Sequence, residues 1–309
     1  MSADLVQLRR GEYACTVDPR GATLRRLTHL GVDLVEPSPG VPDGAFRGAL
    51  LAPWPNRIGT ATYVFAGEQH RLPVSEPSRG HALHGLAYAL AWTVLEESSE
   101  RVRLGVRVPT QPGWPFRLGL VADYALDDEG LTVRLEATNT GDSRLPYGCG
   151  FHPYLTCPGG SFHDAELMLP AATRLETDEQ MLLTGSVPVD EVGADFRVPG
   201  VMGERLLDHC FTDIGTDEHG DAAAVLRMPG RSGVRIGWGS WAGWVQVHTP
   251  ARSASGEQRH GLAVEPMSCP PDAFRSGTGL VRLEPGERHD AWWHLTATLD
   301  AMSDRPASP

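Results

Sequence analysis

The sequence predicts an all-β protein, built as one large antiparallel β-sandwich. Three observations support this prediction: apolar and polar residues alternate in short runs, Gly and Pro gather between those runs, and no long segment has helical periodicity. The 35 glycines and 25 prolines are therefore interpreted as turn residues. Because no blade-length repeat accompanies the runs, a sandwich is favoured over a propeller.

The clearest alternation falls in three consecutive runs, residues 101–108, 118–126 and 131–137. In the first run, Val102 and Leu104 share one face, whereas Arg101 and Arg103 share the other. The sequence DDEG at 127–130 is typical of a hairpin turn between the second and third runs. We therefore expect an antiparallel meander in this part of the chain.

The organisation of the 309 residues indicates a single domain over residues 1–299. Residues 249–261 form a polar stretch, but Val- and Trp-rich segments flank it closely, so it is interpreted as a loop rather than a linker. Residues 300–309 are expected to be a disordered tail.

Charge and cysteine usage exclude several classes of partner. The net charge of −12 and the lack of any basic run argue against nucleic acid and anionic membrane surfaces. The sequence has neither an evident signal peptide nor a run of about 18 apolar residues that could span a membrane. The 5 cysteines lack CxxC spacing, as is usual for reduced thiols. We expect a cytoplasmic protein.

Two loops carry candidate binding residues. Asn56 and Arg57 precede a strand-like segment, and a guanidinium there could fork onto vicinal hydroxyls or a carboxylate; a surface salt bridge is the alternative. His81 and His84 lie three positions apart in GHALHG. Glycines bracket this segment, and it supplies no third ligand, so polar loop histidines are favoured over a metal site.

Two candidate acid–base residues each precede a proline. His152 lies before Pro153, which restricts its backbone, and an imidazole near neutral pH can give or take a proton. Glu265 follows the apolar residues 262–264, so burial should raise its pKa toward the range of a base. A structural histidine and a salt-bridged glutamate are the respective alternatives.

A further acidic residue and a tryptophan cluster complete the candidates. Asp208 and its neighbour His209 lie within an apolar frame. If residues 238–244 form one strand, Trp238 and Trp244 share a face and Trp241 lies on the other. A tryptophan ring there could stack on a sugar, although packing in the core is the alternative.

Several familiar signatures are missing from the sequence. It contains no G-x-S-x-G elbow, no phosphate-binding G-x-x-x-x-G-K-[ST] loop and no G-x-G-x-x-G between a strand and a helix. Serine hydrolases and nucleotide-binding proteins are therefore disfavoured.

Together the segments resemble the aldose 1-epimerase (galactose mutarotase) family. The matching segments are PWPNRIGTATYVFAG (53–67), LHG (83–85) followed by Trp92, GFHPYL (150–155), LDHCF (207–211), VEPMSCPPDAF (264–274) and RLEPGERHDAWWHL (282–295). Their order and separation extend the resemblance from about residue 21 to about residue 299.

The resemblance implies a galactose mutarotase-like supersandwich that acts on a monosaccharide, with no metal or organic cofactor. It implies that Glu265 is the base that takes the proton of the C1 hydroxyl, and that His152 is the acid that protonates the ring oxygen. The predicted sugar-binding residues are Arg57, His84 and Asp208, which follow from the family motifs, together with Asn56 and Trp244.

The specificity is less constrained by these motifs. Residues 84–92 contain no arginine to grip a phosphate, which favours an unphosphorylated aldohexose over a hexose phosphate, although Arg79 lies nearby. GFHPYL differs from the Asn-His-Ser context of many galactose mutarotases, so the preferred hexose stays open. The alternatives are a glycoside hydrolase that uses Asp208 with Glu265, and a non-catalytic carbohydrate-binding protein. A monomer or a homodimer is expected.

Overall fold

The structure is a computed structural model, and it describes residues 4–40, 44–157, 162–249 and 261–298. In chain order its strands are β1 Val6–Arg10, β2 Tyr13–Asp18, β3 Thr23–His29, β4 Val32–Asp33, β5 Ala49–Leu51, β6 Arg57–Ile58, β7 Thr62–Phe65, β8 Glu68–Arg71, β9 Ala82–Leu83, β10 Thr93–Glu97, β11 Arg101–Val108, β12 Leu118–Leu126, β13 Leu131–Asn139, β14 Leu145–Tyr147, β15 Gly150–His152, β16 Tyr154–Thr156, β17 Glu166–Met168, β18 Ala171–Thr177, β19 Leu183–Pro188, β20 Gly200–Val201, β21 Asp208–Ile214, β22 Ala222–Arg227, β23 Gly233–Trp238, β24 Trp244–His248, β25 Gly261–Met267, β26 Val281–Leu283 and β27 Arg288–Thr298.

Helical structure is sparse in the described ranges. The α-helix α1 spans Ala273–Ser276, and single 3₁₀ turns cover Gly59–Ala61, Ala87–Ala89, Phe162–Asp164 and Val189–Val192. None of these helices has the length and apolar character needed to cross a membrane.

Two large antiparallel sheets organise the fold. One has nine strands in the order β10-β11-β12-β13-β27-β23-β22-β17-β20. The other has eight, in the order β19-β18-β21-β24-β25-β15-β5 with β16 also paired to β25. A four-stranded sheet, β1 to β4, and three two-stranded ribbons complete the architecture. The all-β prediction, with its antiparallel sandwich, is confirmed.

The two large sheets pack face to face through aromatic residues. The ring of Phe151 from β15 lies 5.5 Å from that of Trp293 in β27. The indole Nε1–H of Trp293 donates to the carbonyl oxygen of Pro266 in β25, at 3.3 Å. Both aromatic side chains are fully buried, and burying a side chain of this size is worth roughly 2 to 3 kcal/mol. The core is therefore continuous between the sheets.

The predicted meander corresponds closely to the observed strands. The first two runs coincide with β11 and β12, and the third extends two residues further, to Asn139. Along β12 the residues alternate between buried and partly exposed, as the pattern predicted. At the hairpin, the backbone N–H groups of Glu129 and Gly130 donate to the side chain of Asp127. Gly130 is required there because its φ is +147° and a Cβ would collide with the carbonyl oxygen of Leu295.

Residues 238–244 do not form one strand, so the condition under which Trp238 and Trp244 would share a face is not met. β23 ends at Trp238 in the nine-stranded sheet, and β24 begins at Trp244 in the eight-stranded sheet. Counting alternate faces across the intervening turn therefore has no meaning. The tail predicted at 300–309 and most of the loop predicted at 249–261 lie outside the described residues.

Candidate active site

A cleft of about 320 Å³ lies at the eight-stranded sheet, where several strand ends and two loops meet. Its polar lining residues are Asn56, Arg57, Glu76, Arg79, His84, His152, Asp208, Gln246, His248 and Glu265, and Phe46, Leu83 and Tyr154 supply apolar walls. A volume of this size is at the lower end of small-molecule sites, which suits a ligand the size of one monosaccharide.

Strand register brings the sheet residues of the cleft together. Gln246 on β24 lies directly opposite Glu265 on β25, and His248 on β24 lies opposite Asp208 on β21. All seven residues of β25 are buried, so Glu265 is held on a strand with no access to bulk water. The register therefore places four polar side chains on three adjacent strands beside one another.

His152 and Glu265 form a close buried pair at the cleft. Nε2 of His152 lies 3.3 Å from Oε1 of Glu265, and the two side chains are only 6% and 2% exposed. The second carboxylate oxygen of Glu265 and Nδ1 of His152 have no hydrogen-bond partner among the described residues. Unpartnered polar atoms are uncommon in protein interiors and indicate positions that a ligand could satisfy.

Burial shifts the two pKa values in opposite directions. Burial, with a smaller contribution from the nearby His248, lowers the pKa of His152 to about 3. Burial raises the pKa of Glu265 well above its ordinary value; the negative charge of Asp208 adds to this effect, and Arg57 opposes it. Both shifts favour the uncharged forms, because a low-dielectric environment stabilises neutral groups. In the absence of substrate the two shifts therefore favour one titratable proton on the pair, held by the carboxyl group rather than by the imidazole.

Aromatic rings fix the orientation of the His152 imidazole. Its ring stacks on the rings of Phe46, at 6.3 Å, and Tyr154, at 5.2 Å. The ring of His84 meets it edge-on at 5.2 Å. The guanidinium of Arg47 lies 5.8 Å from the centre of the Tyr154 ring. These ring contacts restrict rotation of the imidazole, whose Nε2 lies toward Glu265.

His84 is held as a hydrogen-bond donor toward the cleft. The backbone N–H of Asn56 donates to its Nδ1 at 3.2 Å, and its own backbone N–H donates to the carbonyl of Asn56 at 2.9 Å. Burial, with the neighbouring His152 and Arg57, lowers its pKa well below the ordinary value, so the ring is neutral. Because Nδ1 accepts, the single ring proton must lie on Nε2.

The same hydrogen bonds decide how well this site suits a metal ion. One ligand atom from each of His84, His152 and Glu265 lies within 4.8 Å of the other two. Coordination by Nε2 of His84 would require loss of its proton while Nδ1 still accepts from Asn56. His81 is also occupied, since Nδ1 accepts from Thr60 and Nε2 donates to the carbonyl of Gln180. The donor set is therefore arranged for hydrogen bonding rather than for metal coordination.

Asp208 is held in its ionised form. Nε2 of Gln246 donates to Oδ1 of Asp208 at 2.7 Å, and Nδ1 of His248 lies 3.6 Å from the same oxygen. Burial alone would raise the pKa of Asp208, but His248, Arg57 and Gln246 outweigh that effect and lower the pKa. A fixed carboxylate of this kind is a strong acceptor for sugar hydroxyls.

The structure brings together six of the seven residues selected from the sequence. Trp244 is the exception, because its ring does not line the cleft. It packs so closely on Gly279 that a Cβ at that glycine would lie 2.4 Å from the ring. The sugar-stacking role predicted for Trp244 therefore has no support from its position.

Other residues of the cleft were not predicted, chiefly Phe46, Glu76, Gln246 and His248. Gln246 offered one signal, since it is a polar residue between Val245 and Val247 in an apolar strand. In a strand buried on both faces, such a residue needs a polar partner. Phe46 and Glu76 lie in irregular segments, where the sequence gives no periodic pattern.

Comparison with known proteins identifies relatives over most of the chain. A family model for aldose 1-epimerase matches residues 4–296. The chain is 36% identical to the uncharacterized protein YihR of Escherichia coli over 298 residues, which cover 95% of this chain and 93% of that protein. It is 27% identical to the aldose 1-epimerase of the same organism over 177 residues, covering 53% and 48% of the two chains.

Solved structures share the fold at low sequence identity. The GalM/aldose epimerase homologue from C. elegans superimposes with a TM-score of 0.83 at 22% identity, covering 96% of this chain and 99% of that one. The galactose 1-epimerase from Lactobacillus acidophilus gives a TM-score of 0.77 at 20% identity, covering 96% and 98%.

Proposed function

The chain belongs to the aldose 1-epimerase family, and on that premise we propose that it interconverts the α and β anomers of an unphosphorylated aldohexose. The reaction opens the sugar ring and closes it again by acid–base catalysis. Glu265 is the base, and His152 is the acid. Asn56, Arg57, His84 and Asp208 bind the sugar. The cytoplasmic location and the monomeric or homodimeric state predicted from the sequence are part of the same proposal.

The observation that carries this proposal is the 3.3 Å separation of Nε2 of His152 from Oε1 of Glu265. In a cyclic aldose, the C1 hydroxyl oxygen and the ring oxygen are both bonded to C1. An acid and a base that serve these two oxygens must therefore be near neighbours. A buried pair at hydrogen-bonding range meets this requirement, and it excludes competing water.

One proton on the pair is enough for the whole cycle. Its transfer from Glu265 to His152 creates a carboxylate and an imidazolium, which are the base and the acid. Glu265 then takes the proton of the C1 hydroxyl, whose electrons form the C1 carbonyl as the bond from C1 to the ring oxygen breaks. The electron pair of that bond stays on the ring oxygen, which receives the proton of His152.

Ring closure reverses these transfers after rotation about the bond from C1 to C2. The hydroxyl formed from the ring oxygen attacks the other face of C1 and returns its proton to His152. Glu265 returns its proton to the carbonyl oxygen, which becomes the new anomeric hydroxyl. The pair ends with the proton it began with, so no exchange with solvent is needed. Acid–base assistance of this kind is worth roughly 10² to 10⁴ in rate.

The charges at the mouth of the cleft support a neutral sugar. Arg57 and Arg79 both donate to the carboxylate of Glu76, at 2.8 to 3.1 Å. Both guanidinium groups are therefore already paired with a carboxylate, which a phosphate group would have to displace. Neutral hydroxyls need only the N–H bonds that the pairing leaves available.

Polarimetry on freshly dissolved α-D-glucose and α-D-galactose tests the proposal. We expect the wild type to accelerate the approach to equilibrium, and both His152→Ala and Glu265→Gln to lose most of this acceleration while still binding sugar. Wild-type protein that leaves the spontaneous rate unchanged with both sugars would contradict the assignment.

A glycoside hydrolase is the second candidate because Asp208 is held ionised while the pKa of Glu265 is raised. Carboxyl groups with separated pKa values are a feature of such enzymes. The close partner of Glu265, however, is an imidazole rather than a carboxylate. Release of aryl alcohol from an aryl glycoside would favour the hydrolase. Sugar binding with neither activity would favour a non-catalytic binding protein.

A further inference from the structure

Arg57, one of the proposed sugar-binding residues, has a second, unpredicted partner. Its Nε–H and one Nη2–H donate to the two oxygens of Glu76, at 2.9 and 3.1 Å. The side chains of this pair are only 11% and 10% exposed. A two-point contact of this kind fixes both the position and the plane of the guanidinium group.

The contacts of Arg57 within the protein limit the number of N–H donors that it can offer to a ligand in the cleft. A guanidinium has five N–H bonds, and Glu76 takes two of them. Oδ1 of Asn56 lies 3.4 Å from Nη1 and takes a third. Two N–H bonds on the terminal nitrogens are left for a ligand. Because the guanidinium is planar, these bonds point in directions that Glu76 has already set.

Glu76 itself is rigidly held. Nη1 of Arg79 donates to one of its oxygens at 2.8 Å, and these contacts with Arg57 and Arg79 outweigh burial and lower the pKa of Glu76. Its backbone carbonyl accepts the N–H of Gly80 at 2.8 Å, and its N–H donates to the carbonyl of His81 at 3.0 Å. The loop 76–81 is therefore closed on itself.

His81 anchors this loop to the rest of the protein. Its Nδ1 accepts the backbone N–H of Thr60 at 3.1 Å, and its Nε2–H donates to the carbonyl of Gln180 at 2.9 Å. The side chain is almost fully buried. Both ring nitrogens thus hold loop 76–81 in place, which gives the first histidine of GHALHG a structural role.

We propose that Glu76 is a positioning residue, which sets the orientation in which Arg57 presents its two remaining N–H bonds to adjacent sugar hydroxyls. Arg79 and the closed loop 76–81 keep Glu76 fixed. This inference rests on the proposed function, because it assigns Arg57 to the sugar. It adds that sugar affinity depends on a carboxylate that does not take part in the proton transfers.

A double-mutant cycle between Glu76→Gln and Arg57→Ala tests the inference. Glutamine keeps the size of the side chain but offers only one acceptor oxygen, so the guanidinium loses its two-point contact. We expect Glu76→Gln to raise the KM for α-D-glucose or α-D-galactose by about tenfold, with kcat changed by less than about twofold. In the Arg57→Ala background, the same substitution should change KM by less than about twofold.

Glu96→Gln is the matched control, because Glu96 also pairs with an arginine, Arg103 at 2.9 Å, on an exposed strand. It should leave KM and kcat unchanged. A Glu76→Gln effect of equal size with and without Arg57 would overturn the inference, as would a fall in kcat with KM unchanged. Either result would mean that Glu76 acts through folding.

Calorimetric titration with the same sugars separates this inference from the proposed function. If the wild type binds sugar without catalysing mutarotation, the proposed activity fails, and the coupling between Glu76 and Arg57 is then read from the dissociation constants. If the wild type is active and the cycle is additive, only the inference fails. If the wild type neither binds nor interconverts either sugar, both fail.

Discussion

Nε2 of His152 and Oε1 of Glu265 lie 3.3 Å apart in an almost fully buried environment. Burial raises the pKa of the carboxyl group and lowers that of the imidazole to about 3. The form of the pair that carries one proton, which the proposed reaction requires, therefore exists over a wider pH range than the ordinary pKa values of 4.5 and 6.5 would allow.

The first prediction concerns the pH dependence of mutarotation. The pair gains a second proton only near the pKa of His152, about 3, so activity should persist to lower pH than for an exposed pair. We expect kcat/KM to change by less than about twofold between pH 6 and pH 4, and to fall as the pH rises through the raised pKa of Glu265. Polarimetry, corrected for the uncatalysed rate, measures this. A loss of fivefold or more at pH 4, with circular dichroism unchanged, would contradict it.

The second prediction is that Glu265→Gln stabilises the protein at alkaline pH. The native state binds the carboxyl proton of Glu265 more tightly than the unfolded chain does, because its native pKa is raised. The resulting stability is complete below the ordinary pKa and is lost as the pH rises through the native value. The variant lacks this loss, so its unfolding free energy relative to that of the wild type should increase between pH 5 and pH 8.

Urea unfolding at the two pH values measures this difference. Glu97→Gln, at an exposed position of β10, is the control and should give the same pH dependence as the wild type. If the unfolding free energies of Glu265→Gln and the wild type depend equally on pH, the pKa of the Glu265 carboxyl group is not raised in the native state.

The third prediction concerns His84 and stability in acid. Its native pKa is lowered well below 6.5, so the unfolded chain binds protons first as the pH falls. The wild type should therefore lose stability because of this residue as the pH falls from 7 to 5. His84→Asn keeps an acceptor for the N–H of Asn56 but cannot titrate, so its unfolding free energy should depend less steeply on pH.

His219→Asn is the matched control, because His219 is an exposed histidine. Its unfolding free energy should follow that of the wild type between pH 7 and pH 5. If His84→Asn and His219→Asn change the pH dependence equally, His84 is not the buried neutral ring described above.

The fourth prediction is that Gln246→Met weakens sugar binding. Methionine fills a similar volume but cannot donate to Asp208, and it removes the Gln246 Oε1 acceptor, which has no partner in the described part of the chain. A neutral hydrogen bond between that Oε1 and a sugar hydroxyl is worth about 0.5 to 1.5 kcal/mol, which corresponds to a KM increase of roughly 2- to 10-fold. Initial rates at varied sugar concentration measure KM. Gln69→Met, on the exposed edge of β8, should leave KM unchanged, and an unaltered KM in Gln246→Met would refute the prediction.

Much of the fold followed from local pattern. β11 and β12 were predicted to their ends because alternation reports directly which face of a strand is buried. The faces of Trp238 and Trp244 could not be inferred in this way, because the two residues lie on strands of different sheets. Alternation of faces holds only within one strand, and a turn separates these two. Only the turn geometry could have revealed this.

Some residues of the candidate site could likewise be predicted from the sequence, and others could not. Residues that lie in family motifs, such as His152 and Glu265, could be selected from the sequence. Gln246 enters the cleft only because β24 pairs with β25 in one register, and a shift of one residue would turn its side chain to the other face. Glu76 depends on a closed loop that no periodic pattern describes.

The basic side chains that line the cleft are arginines and histidines, and none of them is a lysine. The same holds for the whole sequence: all 27 basic Lys and Arg positions are arginine, and the 309 residues contain no lysine. The proposed reaction passes through an open-chain aldehyde, and aldehydes condense readily with primary amines to give Schiff bases. An enzyme that releases such a carbonyl beside its own side chains would thus have no lysine amine to glycate, and its surface would resist modification by the intermediate it makes.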